Sequence, residues 1–258
     1  FQDITVSAST PVIPVSESAD QGFQLDTIPV KAEIQAVSSL AFLYALRMFG
    51  LFMVLPVLSL YATDYEGSTP LLMGLALGIY GFSQSLFQMP MGMLSDRFGR
   101  RKVVLAGLVL FAAGSAVAAL TTSIVGLIAG RFLQGSGAVS SALMALVADL
   151  TTEKNRTRAM AAVGASIGLA FTVAMIAGPV LAAMVGLSGL FWITAVLGVF
   201  GIVLMWKVVP VPSVGAQSQD MLPASALLKR VLVDGELSRL NAGVFVLHCS
   251  LMALFTLV

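Results

Sequence analysis

Two arginines stand where a charge is hardest to keep. Arg47 and Arg131 are each embedded in a long apolar stretch, where a cation must either line a polar cavity or tie helices together through backbone carbonyls. A second cluster is crowded rather than isolated. Residues 92–102 read Gly-Met-Leu-Ser-Asp-Arg-Phe-Gly-Arg-Arg-Lys, with Arg97, Arg100, Arg101 and Lys102 around the single acid Asp96. A carboxylate at the C-terminal end of a helix faces the negative end of the macrodipole, at a cost of roughly 0.3–1 kcal/mol. Asp96 therefore calls for a positive partner, either the arginines beside it or the N-terminus of another helix. His248 is the only histidine; its ordinary pKa of about 6.5 suits proton carriage, and a hydrogen-bonded packing role suits it equally. Catalysis is not encoded. Cys249 is the only cysteine, which excludes an intrachain disulfide or a cysteine-based metal site. Gly135-Ser136-Gly137 lacks the Gly-x-Ser-x-Gly spacing of a serine intramembrane protease. No enzyme, metal or other cofactor is expected.

The elements that must position these residues are membrane helices. The chain has 258 residues, is 58% hydrophobic and only 10% charged, against about 25% charged residues in soluble domains. Apolar runs long enough to span a ~30 Å hydrocarbon core, about 20 helical residues, occur near 38–61, 70–94, 103–121, 124–148, 159–184 and 189–209. This leaves 95–102 as the turn that holds the charged cluster. A seventh run begins near Leu240 and is still apolar at Val258, and the chain starts at Phe1 rather than Met, so a fragment is expected. Residues 1–37, rich in Ser, Thr, Pro and acids, read as a mostly disordered tail that turns helical after Pro29. No secretory signal is recognisable at the start. Residues 210–239 read as a linker. Within it, Leu227, Leu228, Val231 and Leu232 fall on one side of a helical pattern beside Lys229 and Arg230. That pattern fits an amphipathic helix on the membrane surface or one packed on a soluble neighbour.

The cations set the orientation. All of the 14 Lys and Arg except Arg47 and Arg131 lie in residue 31, 95–102, 149–158 or 207–239. The turns near 61–70, 121–123 and 185–188 carry none. By the positive-inside rule the basic segments and the N-terminus are cytoplasmic, which demands an even number of crossings between them; six satisfies it. The expected location is the inner (plasma) membrane, multi-pass. No basic face is interleaved with aromatics, so nucleic acid is not an expected partner. Gly74-x-x-x-Gly78 and Gly164-x-x-x-Gly168 read as smooth stripes for close helix packing.

Arg47 and Arg131 start nine and seven residues into their spans, hence about 10–14 Å deep at ~1.5 Å per residue. Insertion scales charge roughly 2.5–3.5 kcal/mol for a mid-helix arginine, so neither should face lipid. No Asp, Glu or Lys lies in the interior of the six spans, Lys207 standing only at the end of the last. The available partners are carbonyls, water, the amides of Gln84, Gln88 or Gln134, or carboxylates outside this chain.

The 92–102 segment resembles the loop signature of the major facilitator superfamily, Gly-x-Leu-x-Asp-Arg-x-Gly-Arg-Arg/Lys, at every fixed position. Arg131-Phe-Leu-Gln134-Gly135 resembles the superfamily's Arg-x-x-Gln-Gly motif, whose Arg is linked to proton coupling. Gly178-Pro179 resembles the core of the antiporter Gly-Pro motif, although Ala174, Ala182 and Ala183 stand where glycines usually flank it; a simple packing kink is the other reading. Arg47 through Leu58, Gly78-Ile79-Tyr80-Gly81, Gln134 through Ala138, Asn155 through Met160 and Leu247-His248 together resemble the YajR-type branch of proton-driven drug exporters. The resemblance covers about residues 38–258.

It implies an all-α membrane fold, the six-helix N-terminal half of a twelve-helix transporter built of two inverted three-helix repeats, plus a truncated seventh helix. The first and fourth helices, each with one deep arginine, are then equivalent. It further implies that Gly92, Asp96, Arg97, Gly99, Arg100 and Arg101 form a conformational latch. Asp149 either pairs with Arg100 in that latch or is a solvated helix-end acid. Arg47, Arg131, Gln134 and His248 are the candidates for cavity lining and proton coupling. The implied activity is proton-coupled efflux of small amphipathic solutes by alternating access, with a small-molecule substrate, protons, the bilayer and a missing C-terminal half as partners. A proton symporter for a sugar or organic anion, and a non-transporting half-molecule, remain as alternatives.

Overall fold

The computed structural model describes residues 30–209 and scattered helical positions between 235 and 250. The tail over 1–29, the helical pattern near 223–233 and His248 lie outside the described residues. Among the described residues up to 209 the α-helices are α1 (Val30–Tyr61), α2 (Pro70–Phe98), α3 (Arg100–Leu120), α4 (Ile124–Ser136), α5 (Ser140–Asp149) and α6 (Glu153–Lys207). Those of α1, α2, α3 and α6 are long and apolar enough to cross a membrane.

At 55 residues and ~1.5 Å per residue, α6 is far too long for one crossing, and it makes two. Gly186 breaks it at φ 70°, ψ 179°, in the left-handed region open to glycine. The contacts of its limbs with α1 show the reversal. Ser166 Oγ donates to the Ala41 carbonyl at 3.1 Å and Gly178 lies against Met53, so the first limb runs with α1. Thr194 Oγ1 donates to the Gly50 carbonyl at 3.1 Å and Gly201 lies against Leu43, so the second runs against it. With α4 and α5 sharing one crossing, the described bundle has six.

The first helix starts at Val30, directly after Pro29, and the helix holding the fifth apolar run starts at Glu153; both extend past their apolar runs. Two expectations need correction. The fourth run is not one helix. It breaks after Ser136 and resumes at Ser140, since Gly137 approaches α3 so closely that a Cβ would collide with the Gly107 carbonyl. The charged cluster is not a loop over 95–102. α2 continues to Phe98 and α3 starts at Arg100, and Gly99 alone turns the chain, at φ 97°.

The glycine stripes are also corrected. Nothing within 4 Å would meet a Cβ at Gly74, Gly78, Gly164 or Gly168, so they mediate no close packing among the described residues. The tight crossing is made by another pair: a Cβ at Gly114 of α3 would lie 2.7 Å from the Gly130 carbonyl of α4, and one at Gly130 would lie 2.9 Å from that of Gly114.

The core falls into two layers. One holds Leu40, Leu43, Leu108, Phe111, Leu143, Leu146 and Met205; the other holds Met53, Leu58, Ala118, Ile124, Leu127, Leu187 and Phe191. Outward, the bundle presents large apolar side chains such as Phe82 (63% exposed), Ile176 (68%) and Trp206 (67%), a surface suited to lipid rather than water. All the turns without basic residues gather at one end, where Glu66 N–H donates to the Thr122 carbonyl at 3.0 Å and the Glu66 carbonyl accepts from Ile124 at 3.1 Å. The described basic turns, 95–102 and 149–158, gather at the other with Lys207.

Candidate functional site

Arg47 and Arg131 meet at one tyrosine. Arg47 Nη2 donates to Tyr80 Oη at 3.3 Å and to the Gly137 carbonyl at 3.1 Å, while Nη1 donates to Ser140 Oγ at 3.3 Å. The helix break between α4 and α5 is what frees that carbonyl, so the interruption and the deep cation satisfy one another. Arg131 lies with its guanidinium 4.9 Å from the centre of the Tyr80 ring, within cation–π range. Its Nη1 donates to Gln134 Oε1 at 3.0 Å and its Nε to the Ala76 carbonyl at 3.4 Å. Gln134 passes the chain on: Nε2 donates to Ser115 Oγ at 2.7 Å, and Ser115 Oγ to the Phe111 carbonyl at 2.7 Å. Phe111 closes the circuit, its ring 5.4 Å from the Arg47 guanidinium. Gly135 makes the arrangement possible, because any Cβ there would strike the Tyr80 carbonyl.

Both arginines are enclosed within this bundle. Arg47 is 2% exposed and Arg131 is fully buried; backbone carbonyls, hydroxyls, an amide and two aromatic rings enclose them. No carboxylate is among their partners. Of the three amides considered, only Gln134 serves, and the buried Oε1 atoms of Gln84 and Gln88 have no hydrogen-bond partner among the described residues. Arg47 Nε and Arg131 Nη2 are likewise unpartnered, each at a cost of about 1–3 kcal/mol. Tyr80, Ser115, Ser140 and Phe111 were not readable as site residues, because hydroxyls and rings are ordinary in apolar helices until a guanidinium is placed against them.

At the basic end, Arg100 bridges two acids. Its Nη1 donates to Asp96 Oδ1 at 2.7 Å and its Nε to Asp149 Oδ2. Asp96 is in the last turn of α2, Asp149 ends α5, and Arg100 opens α3. Each of these charges opposes its own helix dipole. Brought together, the cation sits between two acids at two negative helix ends, and the unfavourable placements offset one another. The three side chains are 19–28% exposed, which spares the pair full screening. Gly92 allows the approach, a Cβ there meeting Ser141 Oγ at 3.3 Å. Arg101 donates to the Trp206 carbonyl, tying the start of α3 to the end of α6. Arg97 turns outward over the Phe98 ring, 5.5 Å from its centre. Gly178 packs on the Met53 backbone beside Pro179, the close contact a packing kink would make. Separately, a wholly apolar cavity of about 410 Å³ opens between α1 and the first limb of α6, lined by Phe42, Leu46, Phe49, Leu169 and Val173 among others.

Six apolar crossings with a buried arginine pair and a charged joint at one end describe an integral membrane protein. Residues 40–258 match the family model of the Major Facilitator Superfamily, and the chain belongs to that family. It is 46% identical over 223 residues to the inner membrane transport protein YajR of Escherichia coli K12, covering 86% of this chain and 49% of that protein. It is 30% identical over 169 residues to the class B tetracycline resistance protein of Escherichia coli, covering 62% and 41% respectively. The crystal structure of the human organic anion transporter MFSD10 (TETRAN) shares the fold, with a TM-score of 0.59 over 70% of this chain and 48% of that one, at 22% identity. The chain spans about half the length of the curated relatives it matches and corresponds to the N-terminal half of the superfamily fold.

Proposed function

We propose that this chain is the N-terminal half of a proton-coupled antiporter that exports small amphipathic solutes by alternating access, with the basic end in the cytoplasm. The observation that carries the reading is the Arg100 bridge. Three helix ends are held together by charge at one end of the bundle only, and such a joint can open and reclose without disturbing the core. Arg97, Arg101, Gly92 and Gly99 belong to the same latch, Arg101 through α6 and the glycines by permitting the approach. Arg131, with Gln134 and Tyr80, is the proton-coupling centre: a buried cation whose partners include no fixed acid responds to any proton or charge that enters nearby. A relative named for tetracycline resistance supports export.

The second half of the transporter is the required partner, supported by the half-length coverage of the relatives. The test is reconstitution in proteoliposomes under an imposed pH gradient. The 258-residue chain alone should give no substrate-dependent proton flux, and a full-length transporter containing it should. Robust coupled flux from the chain alone would contradict the need for a second half.

A further inference from the structure

Glu33 stands in the first turn of α1, at the basic end, and is only 4% exposed. A buried carboxylate is costly unless its oxygens are filled, and here both are. Oε1 accepts from the Thr152 backbone N–H at 3.0 Å and from the Thr152 hydroxyl at 3.3 Å; Oε2 accepts from the Asn155 side-chain amide at 3.0 Å. Thr152 is the N-cap of α6, and its own side chain makes no capping bond. In a capping box the third helical residue, a Glu or Gln, reaches back to accept from the N-cap N–H. In α6 that position is Asn155, which donates its amide to Glu33 instead. Glu33 thus supplies the missing acceptor from another helix, and sets its negative charge at the positive end of the α6 dipole.

The chain between this cap and the latch has no slack. Leu150 N–H donates to the Leu146 carbonyl at 3.1 Å, and Thr151 Oγ1 donates to the Val147 carbonyl at 2.7 Å. Both residues are buried, at 6% and 5% exposure. Asp149 comes next, against Arg100. A shift of Thr152 cannot be absorbed before it reaches Asp149.

We propose that Glu33 is a positioning residue of the latch: by fixing Thr152 to α1 it holds Asp149 in register with Arg100, so that the helix carrying Arg47 and the charged joint move as one body. The proposal rests on the latch reading above.

The test uses a full-length transporter containing this chain, with Cys249 and any other native cysteine replaced and one cysteine placed at the basic mouth, and reads its rate of alkylation. Glu33→Ala should raise that rate about tenfold or more, the scale of losing one hydrogen bond to a charged group. Adding Asp149→Asn should raise it little further, since both changes open the same joint. If Glu33→Ala impairs folding, Glu33→Gln is read in its place, being of equal size but uncharged and with one acceptor oxygen where Thr152 and Asn155 use two. A second variant separates positioning from simple capping. Glu33→Ala with Asn155→Glu restores an acceptor within α6 without restoring the tie to α1, and should recover thermal stability while labelling stays fast. Recovery of the wild-type labelling rate there would overturn the proposal, as would full additivity with Asp149→Asn. An unchanged rate in the Glu33 variants, with Asp149→Asn still accelerating labelling, would refute Glu33's role and leave the latch standing. An unchanged rate in all of them would remove both.

Discussion

At the basic end, helix termini are joined by side-chain charges: Asp96 and Asp149 through Arg100, the α3 start to the α6 end through Arg101, and α1 to α6 through Glu33. At the neutral end the joints are made by backbone and hydroxyl groups. Glu66 exchanges main-chain hydrogen bonds with Thr122 and Ile124, and Ser188 Oγ donates to the Ala119 carbonyl at 2.5 Å. A joint built from charges in partly wet surroundings can trade its partners for water and recover them. A backbone joint carries its bonds whatever the side chains are, and offers a mutation little to remove. The same fold therefore has one end whose strength is tunable by single residues and one whose strength is not.

Between the ends lies the element both share. Arg131→Ala should have the largest effect of any change considered, because it strands Gln134 and the Ala76 carbonyl inside the bundle; about 3 kcal/mol or more of stability should go, read as a fall in the thermal unfolding midpoint in detergent. In the full-length protein it should abolish proton coupling. Arg131→Lys keeps the charge but not the planar fork of donors, and should keep part of the activity at best. Transport by Arg131→Ala with unchanged pH dependence would reduce the residue to a structural tie.

Next in size is Arg100→Ala. It leaves two acids facing each other at two negative helix ends, and should cost roughly 1–3 kcal/mol while exposing the basic mouth. High salt should mimic it weakly in the wild type, as it screens partly exposed pairs. The smallest effect is expected from Glu66→Ala, below about 0.5 kcal/mol, because the bonds that matter there belong to its main chain. A large loss at Glu66, measured by the same unfolding assay, would erase the contrast between the ends.

The six crossings, their boundaries on the neutral side and the gathering of cations at one end were legible in the sequence, since apolar run length and charge position determine them directly. The break at 137–139 was not, although Gly135 and Gly137 were in view. A glycine pair in a membrane helix signals close packing and interruption alike, and only the approach to Gly107 decides between them. Arg47 and Arg131 were legible as problems needing partners; Tyr80 as their common solution was not. Glu33 does leave a signal in the sequence. It shares a helical face with Ala36, Leu40 and Arg47, all buried, and an acid in register with a buried face is seldom a tail residue.

The most direct test of the account compares accessibility at both ends in one variant. In the full-length transporter, single cysteines placed at the basic and neutral mouths are alkylated with a membrane-impermeant reagent, with and without Asp96→Asn. The account predicts faster labelling at the basic mouth, slower or equal labelling at the neutral mouth, slowed transport and unimpaired membrane insertion. Unchanged labelling at both mouths together with full transport would contradict the claim that the charged joint sets which end is open.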